Sequence, residues 1–223
     1  MKKTVVFMLV LSFVLIGTVS AQGMGFGVKG GLNLAKWTGA DVKEITDGGL
    51  DQKYLMGFAA GGFVTLPLGN TISIRPEFLF SQNGAKFEGS EDGYEAKMSM
   101  HMNWLNIPIL AVFNVGPVGV FAGPYFDFFL SGKQNIEVTY GGESFDEEED
   151  IKSDEVQSLN YGVILGAAFG VTNNIDIELR YSQGLNSFDK EPDDWDAAYD
   201  GEYEKSDIKP SMIQALVNFY LKK

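Results

Sequence analysis

Between Leu159 and Leu185 the chain reads LNYGVILGAAFGVTNNIDIELRYSQGL, and its side chains alternate in character. Ile175, Ile177, Leu179 and Tyr181 share one parity, whereas Asp176, Glu178, Arg180 and Ser182 share the other. A period of two sends successive side chains to opposite faces of an extended strand, so this segment has one apolar and one charged face. The run before it alternates too, with Leu159, Tyr161, Val163, Leu165, Ala167, Phe169 and Val171 set against Asn160, Gly162, Gly166, Ala168 and Gly170. Thr172-Asn173-Asn174 between the runs is a turn cluster, because asparagine tolerates positive φ. The predicted hairpin has unusually long arms. Strands of soluble domains run about 5–6 residues, whereas a tilted membrane-spanning strand needs about 9–11. The feature predicts a hairpin that crosses a membrane.

The N-terminus carries the marks of export. Lys2-Lys3 is a positive start, Val5 to Ile16 is an almost unbroken apolar run, and Gly17-Thr18-Val19-Ser20-Ala21 offers a small-residue cleavage site after Ala21. The apolar run falls short of the ~18–20 residues of a spanning helix, so residues 1–21 are read as a signal peptide. Residues 22–223 are then expected to form a single barrel domain. Lipid admits only helices and closed barrels, and no other stretch is long and apolar enough for a helix. Removing Lys2 and Lys3 takes the formal charge from −13 to −13 − 2 = −15. No basic stripe is available to neutralise phosphates, which argues against nucleic acid as a partner. With no cysteine there is neither a disulfide framework nor a thiolate metal site.

The same alternation recurs along the chain. Strands are predicted over 24–34, 54–66, 71–82, 98–115 and 118–131, over both arms of the hairpin above, and over 208–221. Pro76, on the outer parity of the third strand, predicts a bulge. Pro67-Leu68-Gly69-Asn70, Gly116-Pro117 and Thr172-Asn173-Asn174 are short turns. The other connections are long and polar, the longest being 132–158 with the acidic run Glu143 to Glu155, and a second acidic loop covers 189–207. Short turns on one rim and long loops on the other predict an all-β, eight-stranded, antiparallel up-and-down transmembrane barrel, with its turns periplasmic and its loops extracellular. Large aromatics on one parity, against glycine, alanine and charge on the other, place lipid outside. A soluble lipocalin-like barrel would invert that arrangement.

Several stretches resemble one family. Val28-Lys-Gly-Gly-Leu-Asn-Leu34, Ile74-Arg-Pro-Glu-Phe78 with Ser81-Gln-Asn-Gly-Ala-Lys86, Leu105-Asn-Ile-Pro108, Phe121-Ala-Gly-Pro-Tyr125 and Leu179-Arg-Tyr-Ser-Gln-Gly-Leu185 are similar to segments of PorT-like outer-membrane β-barrels, in the same order. The resemblance implies an eight-stranded outer-membrane barrel and, for most members, no known activity. One member assists a protein secretion system, but no motif for that role is present here.

The inward parity collects Lys29, Arg75 and Arg180 against Glu77, Asp127, Asp176 and Glu178. An eight-stranded barrel is just wide enough for its side chains to fill, so these charges are expected to form a paired structural core. An ion path or proton relay through a narrow channel is the sharper alternative. His101 is the only histidine, and Ser99 lies two residues before it, so a lipid-modifying enzyme would be built on that pair. Asp189-x-Glu191-x-Asp193 lacks the glycine of a calcium loop, yet acidic loops can hold divalent cations through oxygen ligands. Trp37, Trp195, Tyr94, Tyr199 and Tyr203 are expected in the loops, as an interface belt or binding surface. The expectation is a non-enzymatic envelope protein without cofactor, embedded in outer-membrane lipid. It would meet a surface protein or cations through its acidic loops.

Overall fold

The computed structural model describes residues 23–91, 93–153, 156–188 and 206–223. In chain order these form β1 (Gly25–Thr38), a helix α1 (Ala40–Asp47), β2 (Asp51–Lys53), β3 (Leu55–Pro67), β4 (Ile72–Glu91), β5 (Tyr94–Val115), β6 (Val118–Tyr140), β7 (Glu143–Ile151), β8 (Leu159–Gly170), β9 (Ile175–Gly184) and β10 (Lys209–Lys222). Eight strands close a ring in the order β1-β3-β4-β5-β6-β8-β9-β10, every pair antiparallel, with β10 pairing back to β1. Closure gives each of the eight ring strands a partner on both sides, which lipid requires.

Turn chemistry fixes the register at one rim. Val115 pairs with Val118 across Gly116-Pro117. Gly116 takes φ +60°, and proline holds its own φ near −65°, the combination of a type II′ hairpin turn.

The ring is apolar outside, and inside it holds buried charges beside an apolar cluster of Leu110, Val112, Phe121, Tyr125, Ile164 and Ala168. Leu179 is 61% exposed on the outer wall, while its neighbour Glu178 is wholly buried within. Val28, Phe58, Phe113, Val120, Leu165, Ile177 and Val217 share the outer wall. In water this would be an inside-out protein; in lipid it is the stable orientation. The 10 residues of β9, at about 3.3 Å each and tilted about 45°, span about 23 Å, close to the ~25 Å apolar band of such barrels. No helix among the described residues is long and apolar enough to cross a membrane, so strands do the crossing.

The rim opposite the turns departs from the sequence reading, because three segments expected as loops carry regular structure. β4 and β5 continue past Gln82 and Met98 to pair Glu91 with Tyr94. In 132–158, β6 runs on to Tyr140 and turns through Gly141-Gly142 into β7. Both glycines have positive φ, +62° and +88°, the requirement of a type I′ turn. Residues 35–53 hold the end of β1, helix α1 and the short β2, which pairs with β4. The bulge expected at Pro76 is also absent: pairs either side of it keep one register, and the ladder simply skips a few rungs. Register shifts occur instead at Phe26/Gly27 and Asn103/Trp104. The signal peptide, the acidic segment 189–205 with its Asp189, Glu191 and Asp193, and the aromatics Trp195, Tyr199 and Tyr203 lie outside the described residues.

Candidate functional site

Five of the seven inward charges meet at mid-barrel. Lys29 Nζ lies 2.7 Å from Glu77 Oε1 and 3.0 Å from Glu178 Oε2. Arg180 Nη1 donates to Glu77 Oε2 at 2.7 Å, and Arg75 Nη2 donates to Glu178 Oε2 at 3.0 Å. Arg75 Nε lies 3.1 Å from Glu77 Oε1. The side chains of Lys29, Glu77, Glu178 and Arg180 have no exposure at all. Three cations against two carboxylates leave this cluster at 3 − 2 = +1.

Neutral polar groups extend the network across the ring. Arg180 Nε donates to Gln214 Oε1 at 2.7 Å, and Gln214 Nε2 donates to Asn33 Oδ1 at 2.7 Å. Asn218 Nδ2 donates to Glu178 Oε2 at 2.9 Å. These contacts join β1, β4, β9 and β10, strands far apart in sequence, so the network is set by closure of the ring.

Aromatic walls complete the layer. The Arg75 guanidinium sits 5.0 Å from the Phe121 ring centre and 5.8 Å from that of Phe63, and Lys29 Nζ is 5.6 Å from Phe63. A Cβ on Gly166 would come within 2.5 Å of Phe121 and 2.7 Å of Arg180 Cβ. Glycine at that place lets the ring and the guanidinium share one layer. Phe63 and Phe121 escaped the sequence reading, although each shares the inner parity of small or polar neighbours: Ala59 and Gly61 for Phe63, Tyr125 and Asp127 for Phe121.

The remaining two charges stand apart from this cluster. Asp127 is buried and accepts from Asn106 Nδ2 at 2.6 Å, with no ion pair among the described residues. Asp176 pairs with Lys223 at 3.2 Å near the turn rim, beside a cavity of about 340 Å³ that reaches inward to Ser73 and Arg75.

Above the charged layer the interior changes character. Trp37, Val42, Ala85, Phe87, Met102, Trp104, Val156 and Phe188 pack into one apolar core. The rings of Trp37 and Phe188 lie 4.5 Å apart, and Trp104 meets Phe129 edge-on at 5.2 Å. Trp104 Nε1 donates to Asn83 Oδ1 at 2.8 Å. Helix α1 contributes Val42 to this core and is tied down where Ala40 N donates to Asp207 Oδ2. Trp37, expected in a loop, is therefore a core residue, whereas Tyr94 is exposed at a hairpin end. The signal for Trp37 lay in the parity of Asn33, Ala35 and Trp37, which continues that of Lys29 and Gly31.

Ser99 and His101 lie on the outer wall of the upper sheet. They line a cleft of about 310 Å³ with Gln82, Asn103, Lys133, Asn135 and Glu148. Partial burial lowers the His101 pKa. Among the described residues neither side chain hydrogen-bonds the other, and Glu148 is engaged by Lys133. Among the described residues no hydrogen bond orients the imidazole as a general base would need. Among the described residues no three His, Cys, Asp or Glu side chains gather as a metal site.

Several bacterial surface and outer-membrane proteins of solved structure are similar to this chain. They include neisserial surface protein A, at 15% identity and TM-score 0.42, covering 89% of this chain and 99% of that one. The attachment invasion locus protein of Yersinia pestis matches at 13% identity and TM-score 0.42, covering 88% and 98%. OprG from Pseudomonas aeruginosa matches at 6% identity and TM-score 0.38, covering 89% and 96%. No curated protein matches the chain. The family described as outer membrane protein beta-barrel domain matches residues 20–190, most of the chain. With a closed ring, an apolar outer wall and that match, the chain belongs to the outer membrane protein β-barrel domain family and resides in the outer membrane.

Proposed function

We propose that this is a non-enzymatic surface-interaction protein of the PorT-like branch, whose membrane ring is a closed pedestal for an outward-facing platform. Its signal peptide, residues 1–21, would be removed on export, leaving 22–223 as the barrel. One observation carries the reading: the longest strands overshoot the membrane. β5 and β6 have 22 and 23 residues, about twice the 9–11 that a tilted spanning strand needs. A chain gains nothing for membrane insertion from that extra length, but it gains a folded, solvent-facing surface. The buried ion pairs support a closed ring rather than a channel. In this reading Lys29, Arg75, Glu77, Asp127, Asp176, Glu178 and Arg180 serve structure. The acidic surface supplies contacts to a surface protein or to divalent cations.

A photo-crosslinking residue at Phe145 or Tyr140, both exposed, tests this in intact cells. Crosslinks to a discrete external or envelope protein are expected, along with no conductance in planar bilayers. Ion conductance together with no crosslink would overturn the reading in favour of a narrow channel. Altered membrane lipids in a His101→Ala, Ser99→Ala strain would overturn it in favour of the lipid-modifying enzyme.

A further inference from the structure

β6 has two partners on one side. Its lower part, Val118 to Phe128, pairs with β8, and its upper part, Gly132 to Tyr140, pairs with β7. β7 therefore swings out of the ring. All nine of its residues pair with β6 in an unbroken register, and no other strand among the described residues pairs with it. Among the described residues its far edge therefore carries a row of unpaired backbone donors and acceptors, a template for another strand. Exposed edges are usually blunted by charged side chains, proline, a bulge or extreme shortness. Of these, Glu143-Ser-Phe-Asp-Glu-Glu-Glu-Asp-Ile151 has charge alone, and all of one sign, which repels an acidic strand but not a cationic one.

Charge selects the strand that could add. Glu143, Asp146, Glu147, Glu148, Glu149 and Asp150 are all exposed. A second copy would set carboxylates directly opposite carboxylates, which is unfavourable in a strand pair. Alternation puts acids on both faces of β7, so an incoming chain meets negative charge whichever way its side chains point. Phe145, 65% exposed, adds an apolar contact on one face.

We propose that the free edge of β7 docks an extended, Lys- or Arg-rich polypeptide segment, which adds as a further strand. This rests on the surface-interaction reading and names its class of partner. Backbone hydrogen bonds would supply affinity, and the carboxylates would select cationic side chains and speed association.

The test uses the full-length mature protein in nanodiscs of zwitterionic lipid, with empty nanodiscs as control. Three labelled peptides are compared: alternating Lys and Thr, the same peptide N-methylated at every second residue, and alternating Glu and Thr. N-methylation keeps the charge but removes the donors a new strand needs. The Lys-Thr peptide is expected to bind, its N-methylated form more than about tenfold more weakly, and the Glu-Thr peptide not at all. The protein variant E147K/E149K, with folding checked by heat-modifiable migration, is expected to lose the Lys-Thr peptide. Equal binding of the N-methylated peptide would mean charge attraction without strand addition and would overturn the proposal, as would no binding at low salt. Crosslinks from Phe145 that persist in cells carrying E147K/E149K would overturn the edge mode alone and leave the broader surface role standing.

Discussion

The two storeys of this molecule are inverted with respect to each other. In the lower one, Leu179 and Ile177 face out and the ion-paired Glu178 and Arg180 face in. In the upper one, on β5 of the same sheet, Lys97, Ser99 and His101 face out while Met98, Met102 and Trp104 line or flank an apolar core. Backbone geometry and parity carry across the boundary; only the solvent changes. Against lipid an apolar set turns outward, and the narrow interior holds ion-paired charges packed beside the apolar cluster around Leu110, Phe121 and Ile164. Against water the hydrophobic effect drives the apolar set inward, as in any soluble domain. The polar rungs Asn33, Ser81 and Gln214 form the seam between these regimes.

Substitutions can break that contrast, and the largest effect is expected in the lower storey. Arg180→Ala removes one of the two 2.7 Å partners of Glu77, the other being Lys29, together with the donor to Gln214, and should destabilise the ring by about 3–5 kcal/mol in urea unfolding from lipid vesicles. The double change Arg180→Met, Glu77→Gln should cost less than the single changes summed, because it removes both charges together. A single variant as stable as the parent would mean that the lumen charges are solvated.

Phe87→Ala in the upper core should cost a comparable ~3–5 kcal/mol. The loss should be confined to the platform, read as faster hydrogen exchange in β7 and the upper parts of β4, β5 and β6, with the lower ring unchanged. Loss of protection throughout would show that the storeys unfold as one unit.

Leu179→Arg should cost roughly 2–4 kcal/mol, since the outer wall near the bilayer midplane tolerates no charge. The matching outward change in the upper storey, Ser99→Arg, should stay within about 0.5 kcal/mol. Equal costs at the two positions would erase the proposed boundary. Smallest of all, Glu137→Gln removes an exposed ion pair to Lys97 at 3.4 Å, and its effect should fall below about 1 kcal/mol and vanish in high salt.

The lower storey was legible in the sequence because period two and lipid leave little choice. Ile177 against Glu178 declares both the strand and its orientation. That Lys29, Arg75 and Arg180 would converge on Glu77 and Glu178 was not legible, because parity gives the face of a residue but not its height in the ring. Asp127 and Asp176 share that parity yet stand apart from the cluster. The upper storey was read as loop because its outward side is polar and its strands carry many acids, so only every second residue of the inner face signals a strand. Two hairpin signals were nevertheless present, Asp92-Gly93 between Glu91 and Tyr94 and Gly141-Gly142 between Tyr140 and Glu143. Continued parity from Ser81 through Asn83 and Ala85 to Phe87 marked the apolar core.

The absence of cysteine makes the inversion directly measurable. Single cysteines placed along the outer parity of β5, at Ala111, Ile107, Asn103, Ser99 and Lys97, can each be spin-labelled in nanodiscs and probed with oxygen and with a water-soluble nickel complex. The account requires labels at Ala111 and Ile107 to favour oxygen, as lipid-facing sites do, and labels from Asn103 upward to favour nickel while remaining as immobile as a paired strand. Labels at Ser99 and Lys97 with the mobility of a loop, or oxygen preference continuing through Lys97, would contradict a folded platform standing above the membrane.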